Sequence, residues 1–228
     1  MTGILSVLPE IMSRSKSRMS LLMGGARNTR TLVVLASVAL SFLAFSPAWG
    51  EGTPTQAVKD TIDEVIAVLG DAALKDAARE TERREKLEAI IGKRFDYEEM
   101  AKRTLAAEWK NITVDKQQEF VALFQQFLSR SYVGNIDGYS GEQVEYLKER
   151  LKGDFAEVQT KVVSPKVQIP LDYRLLKKNE QWGVYDVIID GVSLTKNYRG
   201  QFSRIIKSSS FDGLLDKLRS KTDLAASS

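Results

Sequence analysis

The sequence predicts an α+β fold in which a twisted, four-stranded, mainly antiparallel sheet carries its helices on one face and encloses an apolar cavity. Two observations support this prediction. Between residues 58 and 134, and again after residue 197, apolar side chains recur at the spacing of amphipathic helices. Between residues 142 and 190 they alternate at a period of two, which is typical of half-buried strands. Consecutive strands joined by short turns favour an antiparallel meander, which helices precede and follow.

Residues 1–50 are expected to be a cleaved secretory signal. The uncharged run of 15 residues from Thr31 to Phe45 follows Arg27 and Arg30 and precedes Gly50, which is the order of a basic region, an apolar region and a cleavage site. The run is short for a membrane span, which needs about 20 residues. An uncleaved inner-membrane anchor is the alternative.

The segment before Arg27 is longer than such signals usually carry, so Met12, Met19 or Met23 is an alternative start. We expect residues 51–222 to form one domain and residues 223–228 to be a disordered tail. An exported chain without disulfides is typical of the bacterial envelope, which makes the periplasm the expected location.

Charge and missing residue types exclude several classes of function. The chain has 33 basic and 30 acidic residues, and without residues 1–50 it is close to neutral, so no basic field for nucleic acid remains. It contains no Cys and no His, which excludes thiol nucleophiles, disulfides and the usual zinc ligands. Any catalysis would have to use Asp, Glu, Tyr, Ser or Lys.

The first predicted helix ends at Gly70, and its apolar residues share one face. That stripe consists of Val58, Ile62, Val65, Ile66 and Leu69. A charged helix is expected to follow over residues 75–95, mostly in solvent, with a small apolar side that includes Leu87. Asp96 and Glu99 form an N-cap pair for a short third helix.

The fourth predicted helix begins after the N-cap Thr113 and runs to about Gly134. One face carries Phe120, Leu123, Phe124, Phe127, Leu128 and Tyr132. Aromatic stripes of this kind usually belong to a core, because aromatic side chains bury much area. A ligand wall is the alternative, and both interpretations hold if the core is hollow.

Three predicted strands have one dry and one wet face. Their dry positions are Val144 and Tyr146 in the first, Ala156, Val158, Thr160 and Val162 in the second, and Val167, Ile169, Leu171, Tyr173 and Leu175 in the third. Pro170 lies on the wet side of the third strand and favours an edge position or a bulge. The fourth strand, from Trp182 to Asp190, is apolar on both faces, so it is either central or bulged near Asp186.

Asp186 admits two interpretations. It could be a catalytic base that works with Tyr185 or Tyr198 in an apolar pocket, as in small α+β enzymes of the isomerase or dehydratase type. It could instead be a structural partner for Arg199, which lies beyond the turn at Gly191 on the element that folds back. The chain has no His, and a paired buried carboxylate costs far less than a lone one, so we favour the structural role.

The same region carries a family signature. The string WGVYDV at 182–187 is followed by GVSL at 191–194, by NYR at 197–199 and by Phe202. This pattern resembles the MlaC family, also called the toluene-tolerance family. The resemblance extends over roughly Phe95 to Lys221, and it is most specific in these strings.

The resemblance implies a periplasmic phospholipid carrier that is not an enzyme. Such a carrier moves lipid between an outer-membrane lipoprotein–porin complex and an inner-membrane ABC transporter with a ring-shaped lipid-binding subunit. The acyl chains occupy an apolar pocket, and two chains of about 15 carbons contribute on the order of 20 kcal/mol of transfer free energy at about 0.8 kcal/mol per CH₂. We expect a monomer that needs no cofactor or metal, binds no nucleic acid and carries phospholipid as cargo.

The predicted lipid-binding residues come from the dry faces of the sheet, the aromatic helix and the segment after the turn. They are Phe124, Phe127, Leu128, Tyr132, Val144, Val158, Thr160, Val162, Ile169, Leu171, Tyr173, Val192, Tyr198 and Phe202. Asp186, Arg199 and Gly191 are assigned structural roles. Besides the enzyme, one further alternative is an envelope adaptor that binds only proteins, which predicts a filled core and an exposed apolar patch.

Overall fold

The computed structural model describes residues 52–136, 141–164 and 168–224, and for residues 132–136, 223 and 224 it describes the backbone alone. The predicted signal and the end of the tail lie outside these ranges. None of the described helices is both long enough and apolar enough to cross a membrane. Within these ranges, four α-helices precede an antiparallel sheet and a broken helix follows it, so the predicted α+β class is confirmed.

Four described α-helices precede the sheet, and the first, third and fourth of them begin at side chains that accept backbone hydrogen bonds. They are α1 (Pro54–Gly70), α2 (Glu80–Arg94), α3 (Tyr97–Leu105) and α4 (Val114–Ile136). The predicted caps are confirmed: Asp96 accepts from the Glu99 N–H at 2.9 Å, and Thr113 Oγ1 accepts from the Lys116 N–H at 3.4 Å.

The charged helix begins later than the sequence predicts. Residues 72–75 and 77–79 form two short 3₁₀ turns before α2 starts at Glu80. Asp71 accepts from the Ala73 N–H at 2.8 Å, and Asp76 accepts from the Ala78 N–H at 2.9 Å. These local bonds offer the backbone an alternative to the helix and interrupt it.

The sheet is an antiparallel meander with the strands in sequence order. Its strands are β1 (Gln143–Lys152), β2 (Phe155–Val163), β3 (Gln168–Lys178), β4 (Gln181–Ile189) and the two-residue β5 (Val192–Ser193), which the sequence did not predict. Pro170 lies on the internal strand β3 and not on an edge. Its carbonyl accepts from the Asp190 N–H at 3.0 Å, just beyond the end of β4. At this point the N–H that Pro170 lacks is not needed for a hydrogen bond between β3 and β4.

β4 contains a bulge at Tyr185. Arg174 pairs with Asp186 and Leu175 pairs with Val184, which leaves Tyr185 as the extra residue. The bulge changes which side chains share a face: Val184 and Val187 pack in the same apolar cluster, whereas simple alternation separates them. The predicted bulge is therefore confirmed, and the strand is buried on both faces, but it is not central in the sheet, because only the two-residue β5 pairs with its outer side.

The apolar interior consists of two main clusters. The helical cluster joins α3 and α4 to the last helix, α5 (Leu194–Leu224), which breaks at Ser210, where φ is 82°. Its aromatic rings have centroids between 5.5 and 6.0 Å apart, and they belong to Phe120, Phe124, Phe127, Tyr198, Phe202 and Phe211. The sheet cluster packs Ala57 and Val58 of α1 on β2, β3 and β4.

Asp186 connects the sheet to the start of α5. Its side chain is 2 % exposed. The carboxylate accepts from Ser193 Oγ at 2.6 Å and from the Thr195 N–H at 3.0 Å, while Arg174 Nη1 on β3 lies 3.5 Å away. Ser193 Oγ also accepts from the Lys196 N–H at 3.1 Å, as an N-cap does. The negative charge thus lies at the N-terminus of α5, where the helix dipole favours it.

The expected partner of Asp186 was wrong, although the expected structural role agrees with these contacts. Arg199 Nε donates to the Arg103 carbonyl at 2.8 Å and so ties α5 to α3. The cation near Asp186 is Arg174, its cross-strand neighbour on β3. Gly191 is in the left-handed region with φ 80°, in agreement with the predicted turn.

Removing the Asp186 carboxylate should destabilise the protein strongly. Asp186→Ala leaves the Thr195 N–H and the Ser193 hydroxyl without their buried acceptor, and we expect a loss of about 3–5 kcal/mol in the free energy of unfolding measured in urea. The control is Glu157→Ala, which removes the more exposed acidic partner of Arg174 and should cost less than about 1 kcal/mol. Equal losses in the two variants would contradict the role assigned to Asp186.

Candidate functional site

A cavity of about 1130 Å³ lies between the sheet and the helices. Side chains from α1, α2, α3, α4, β2, β3 and β4 line it, together with the α2–α3 connection and the start of α5. Ordinary small-molecule pockets measure about 300–1,000 Å³, so this cavity suits a ligand larger than most cofactors. It exists because the helical cluster and the sheet cluster each pack separately and do not fill the space between them.

The inner wall of the cavity is apolar. It consists of Val58, Ile62 and Val65 from α1, Ile91 from α2, Phe95, Met100 from α3, Leu128 from α4, Val162, Ile169, Leu171, Val184, Val187 and Ile189 from the sheet, and Leu194 from α5. Three of these positions, Val162, Ile169 and Leu171, follow from the dry faces that the strand alternation predicts. Such a wall favours hydrocarbon through the removal of apolar surface from water.

The polar residues of the cavity come mainly from α2 and α4, and many of them are exposed. They are Glu80, Thr81, Arg84, Glu85 and Glu88 from α2, and Gln125, Gln126, Ser129 and Arg130 from α4. One contact crosses between the two helices: Ser129 Oγ donates to Glu88 Oε1 at 2.6 Å. We therefore infer that the cavity opens to solvent between α2 and α4.

The two tyrosines of the wall are held in the neutral form. Burial, reinforced by the nearby Glu88 charge, raises the pKa of Tyr97 to about 12. Burial also raises the pKa of Tyr173 above its ordinary value, with smaller contributions from Tyr146 and Asp172. Both phenols stay protonated at neutral pH, so they add polar atoms to the wall without adding charge.

Arg94 lines the cavity, but its guanidinium forms hydrogen bonds with other residues of the protein. Its Nε donates to Thr61 Oγ1 at 3.0 Å, and its Nη1 donates to the Trp182 carbonyl at 2.8 Å. These two bonds tie the end of α2 to α1 and to β4. The guanidinium therefore fixes the position of the cavity wall.

The structure brings five of the predicted lipid-binding residues together on the cavity wall. They are Leu128, Val162, Ile169, Leu171 and Tyr173. Four of them belong to β2 and β3, whose alternation identified the dry face correctly. Leu128 is the fifth, and it comes from the predicted aromatic helix.

Four other predicted residues lie in the helical cluster and not on the cavity wall: Phe124, Phe127, Tyr198 and Phe202. They pack on one another because the aromatic stripe of α4 faces the apolar stripe of α5. The periodicity identified both stripes, but it did not show that each stripe covers the other.

The remaining predicted residues lie elsewhere. Val158 is buried under α1, and Thr160 is buried with its hydroxyl donating to the Leu171 carbonyl. Val144 is half-buried on β1, and Val192 is 37 % exposed beside the turn. The side chain of Tyr132 lies outside the described residues.

The sequence reasoning missed the contribution of α1 and β4 to the wall. Val58, Ile62 and Val65 were identified as a buried stripe, but no signal in the sequence said that part of this stripe faces a cavity. On β4 the bulge at Tyr185 brings Val184 and Val187 to the same side. The apolar pattern of β4 indicated a bulge near Asp186, but not which side chains the bulge would bring to the cavity.

The predicted catalytic candidate, Asp186, does not face the cavity. Asp186 is absent from its lining, and its carboxylate is used by Ser193 and Thr195. Over the ranges that the structure describes, no cluster of three or more Asp and Glu side chains has the arrangement of a metal site.

Comparison with known proteins identifies the family. The family model described as MlaC protein matches residues 59–220. The binding protein MlaC of the intermembrane phospholipid transport system from Haemophilus influenzae is 20% identical over 123 residues, which are 51% of this chain and 58% of that protein. The phospholipid-binding protein from Ralstonia solanacearum, solved in complex with a phospholipid, is 26% identical with a TM-score of 0.67, over 77% of this chain and 99% of that one. The match over residues 59–220 covers well over half of the sequence, and the chain belongs to the MlaC family.

Proposed function

We propose that the protein is a periplasmic phospholipid carrier. It holds the acyl chains of one phospholipid in the cavity and leaves the head group at the opening between α2 and α4. The observation that carries this proposal is the cavity of about 1130 Å³, whose wall is mostly apolar and whose polar residues come mainly from α2 and α4. This division matches a ligand with a long apolar part and one polar end.

The relatives support this choice of ligand. The Ralstonia solanacearum protein is a phospholipid-binding protein in complex with a phospholipid, and the Haemophilus influenzae protein is the binding protein of an intermembrane phospholipid transport system. By analogy, this chain would receive and deliver lipid between an outer-membrane lipoprotein–porin complex and an inner-membrane ABC transporter with a ring-shaped lipid-binding subunit.

The binding of the lipid requires no chemical reaction. Each buried CH₂ contributes about 0.8 kcal/mol, whereas a hydrogen bond to a charged head group contributes about 1.5–3 kcal/mol. The acyl chains therefore supply most of the affinity, and the protein can release the lipid only to a partner that offers another apolar environment. A cavity of this kind needs neither a cofactor nor a catalytic residue.

The two alternative functions have less support. An enzyme that uses Asp186 would need this carboxylate in a pocket, but its oxygens bind Ser193 and Thr195. An adaptor that binds only proteins would have no use for a large internal cavity. One relative is described as phospholipid-binding and the other as the binding protein of a phospholipid transport system, which favours the carrier over both alternatives.

Placing a charge on the inner wall should abolish lipid loading. Leu171→Glu introduces a carboxylate among apolar side chains, and this carboxylate would hydrate the space that the acyl chains need. We expect at least about a tenfold decrease in the lipid that co-purifies with the protein, measured by native mass spectrometry, which corresponds to about 1.4 kcal/mol.

The matched control is Leu151→Glu, because Leu151 is 60 % exposed near the end of β1 and lies outside the cavity. This variant should retain the lipid content of the wild-type protein. Urea unfolding checks that both variants are folded. A folded Leu171→Glu protein with full lipid content would contradict the assignment of the cavity.

Linking α2 to α4 should slow lipid release. The chain has no cysteine, so the pair Glu88→Cys and Ser129→Cys can be joined specifically by a short bismaleimide across the contact between these helices. The linked protein, loaded beforehand, should transfer lipid to acceptor vesicles at least about ten times more slowly, which is an increase of about 1.4 kcal/mol in the barrier.

Each single variant treated with the same reagent is the control and should transfer lipid at the rate of the untreated protein. An unchanged rate in the linked protein would mean that lipid leaves the cavity by a different opening.

A further inference from the structure

The first half of α5, residues 194–209, presents a basic face to solvent. Four exposed cations form this face: Lys196, Arg199, Arg204 and Lys207. With about 3.6 residues per turn, they lie on one side of the helix, opposite the buried stripe that includes Tyr198 and Phe202. The face extends over about 16 Å, because a helix rises about 1.5 Å per residue.

No acidic residue balances this charge on the same half of the helix. Residues 194–209 contain no Asp or Glu, and none of the four cations pairs with a carboxylate in the part of the chain that the structure describes. The second half of α5 differs, since Asp212 pairs with Lys116 at 2.5 Å and Asp216 pairs with Arg219 at 2.7 Å. Because the chain without residues 1–50 is close to neutral, the basic face is a local concentration of charge and not a general property of the protein.

The basic face carries no large apolar side chain. The exposed residues between and beside its cations are small: Gly200, Ser203, Ser208 and Ser209. The large apolar side chains that are exposed in the described ranges lie on other elements and not on α5: Val114, Leu147, Leu151, Phe155 and Val192. The face can therefore attract a partner through charge, but it has no apolar group to bury against one.

This chemistry favours a lipid surface over an acidic protein. The core of a specific protein interface is usually apolar and poor in lysine, which the basic face does not match. A bilayer that contains anionic lipid attracts Lys and Arg through its surface potential alone, and each cation near it strengthens binding about fivefold. The expected periplasmic location makes such a bilayer, and not a nucleic acid, the polyanion that this face would meet.

We propose that the basic face of α5 docks the protein on anionic lipid surfaces. The choice of a bilayer as the partner rests on the proposed carrier function, whereas the charged face does not depend on it. A carrier that exchanges lipid at membranes benefits from electrostatic attraction, because the attraction raises its concentration at the surface where exchange takes place. Docking of this kind is reversible and sensitive to salt, since no apolar side chain of the face enters the bilayer.

The test is a vesicle-binding measurement with the exported form of the protein, residues 51–228. This form contains all of the described residues and lacks the predicted signal, whose own cations would bind anionic lipid. Vesicles of phosphatidylcholine are compared with vesicles in which about one third of the lipid is phosphatidylglycerol, which gives the surface a negative potential. The wild-type protein should bind the anionic vesicles at least about tenfold more strongly. Salt at about 1 M should remove this difference, because the Debye length falls to about 3 Å.

The double variant Arg204→Gln with Lys207→Gln should bind the anionic vesicles at least about tenfold more weakly than the wild-type protein. Both side chains are exposed and have no polar partner among the described residues, so the fold should be retained, which urea unfolding checks. The matched control is Lys75→Gln with Lys217→Gln, which removes the same charge from exposed positions outside the basic face. The control should bind like the wild-type protein.

Undiminished binding of the first double variant, or an equal decrease in the control, would overturn the inference. A wild-type protein that does not bind the anionic vesicles would also overturn it, and an acidic protein would then be the partner to seek for this face. Native mass spectrometry keeps the result separate from the carrier function, because the double variant should lose vesicle binding and retain its co-purified lipid. A wild-type protein that binds the anionic vesicles but carries no lipid would support the docking face and contradict the carrier function.

Discussion

The carboxylate of Asp186 is the contact on which the arrangement of the two halves of the molecule depends. It extends from the bulged strand β4 to the first turn of α5, where it accepts from Ser193 Oγ and from the Thr195 N–H. Because α5 supplies one side of the helical cluster, this anchor contributes to the position of α3 and α4 relative to the sheet, together with the direct bond from the Asp96 N–H to the Val184 carbonyl. The cost of burying the charge is offset by these donors, by the helix dipole and by Arg174.

The cavity is a consequence of this arrangement. The aromatic stripes of α4 and α5 pack against each other, and from the sheet the helical cluster takes only Tyr185 as a buried member. The sheet is covered over part of its dry face by α1, whose Val58 packs against β2 and β4. The remaining part of that face, which includes Ile169 and Leu171, lines the cavity. An apolar surface left open in a folded protein is typical of a binding site.

Much of this fold could be predicted from the sequence, because the period of the apolar residues distinguishes helices from strands and identifies dry faces. The positions of Leu171 and Tyr173 follow directly from the alternation in β3. Two features could not be predicted in this way. A helical stripe does not reveal what it packs against, so Phe124 was assigned to the cavity although α5 covers it. Register also has no signature in a single sequence, which is why the cation near Asp186 was expected on α5 and is found on β3 as Arg174.

The central claim is that the acyl chains occupy the space between the two clusters and not the helical cluster itself. The most direct test is photo-crosslinking with a phospholipid that carries a diazirine near the end of one acyl chain, followed by peptide mapping of the labelled protein. We predict labels on the cavity wall of α1 and the sheet, around Ile62, Leu171 and Ile189. Labels concentrated on Phe124 and Phe202, with none on the sheet, would contradict the claim.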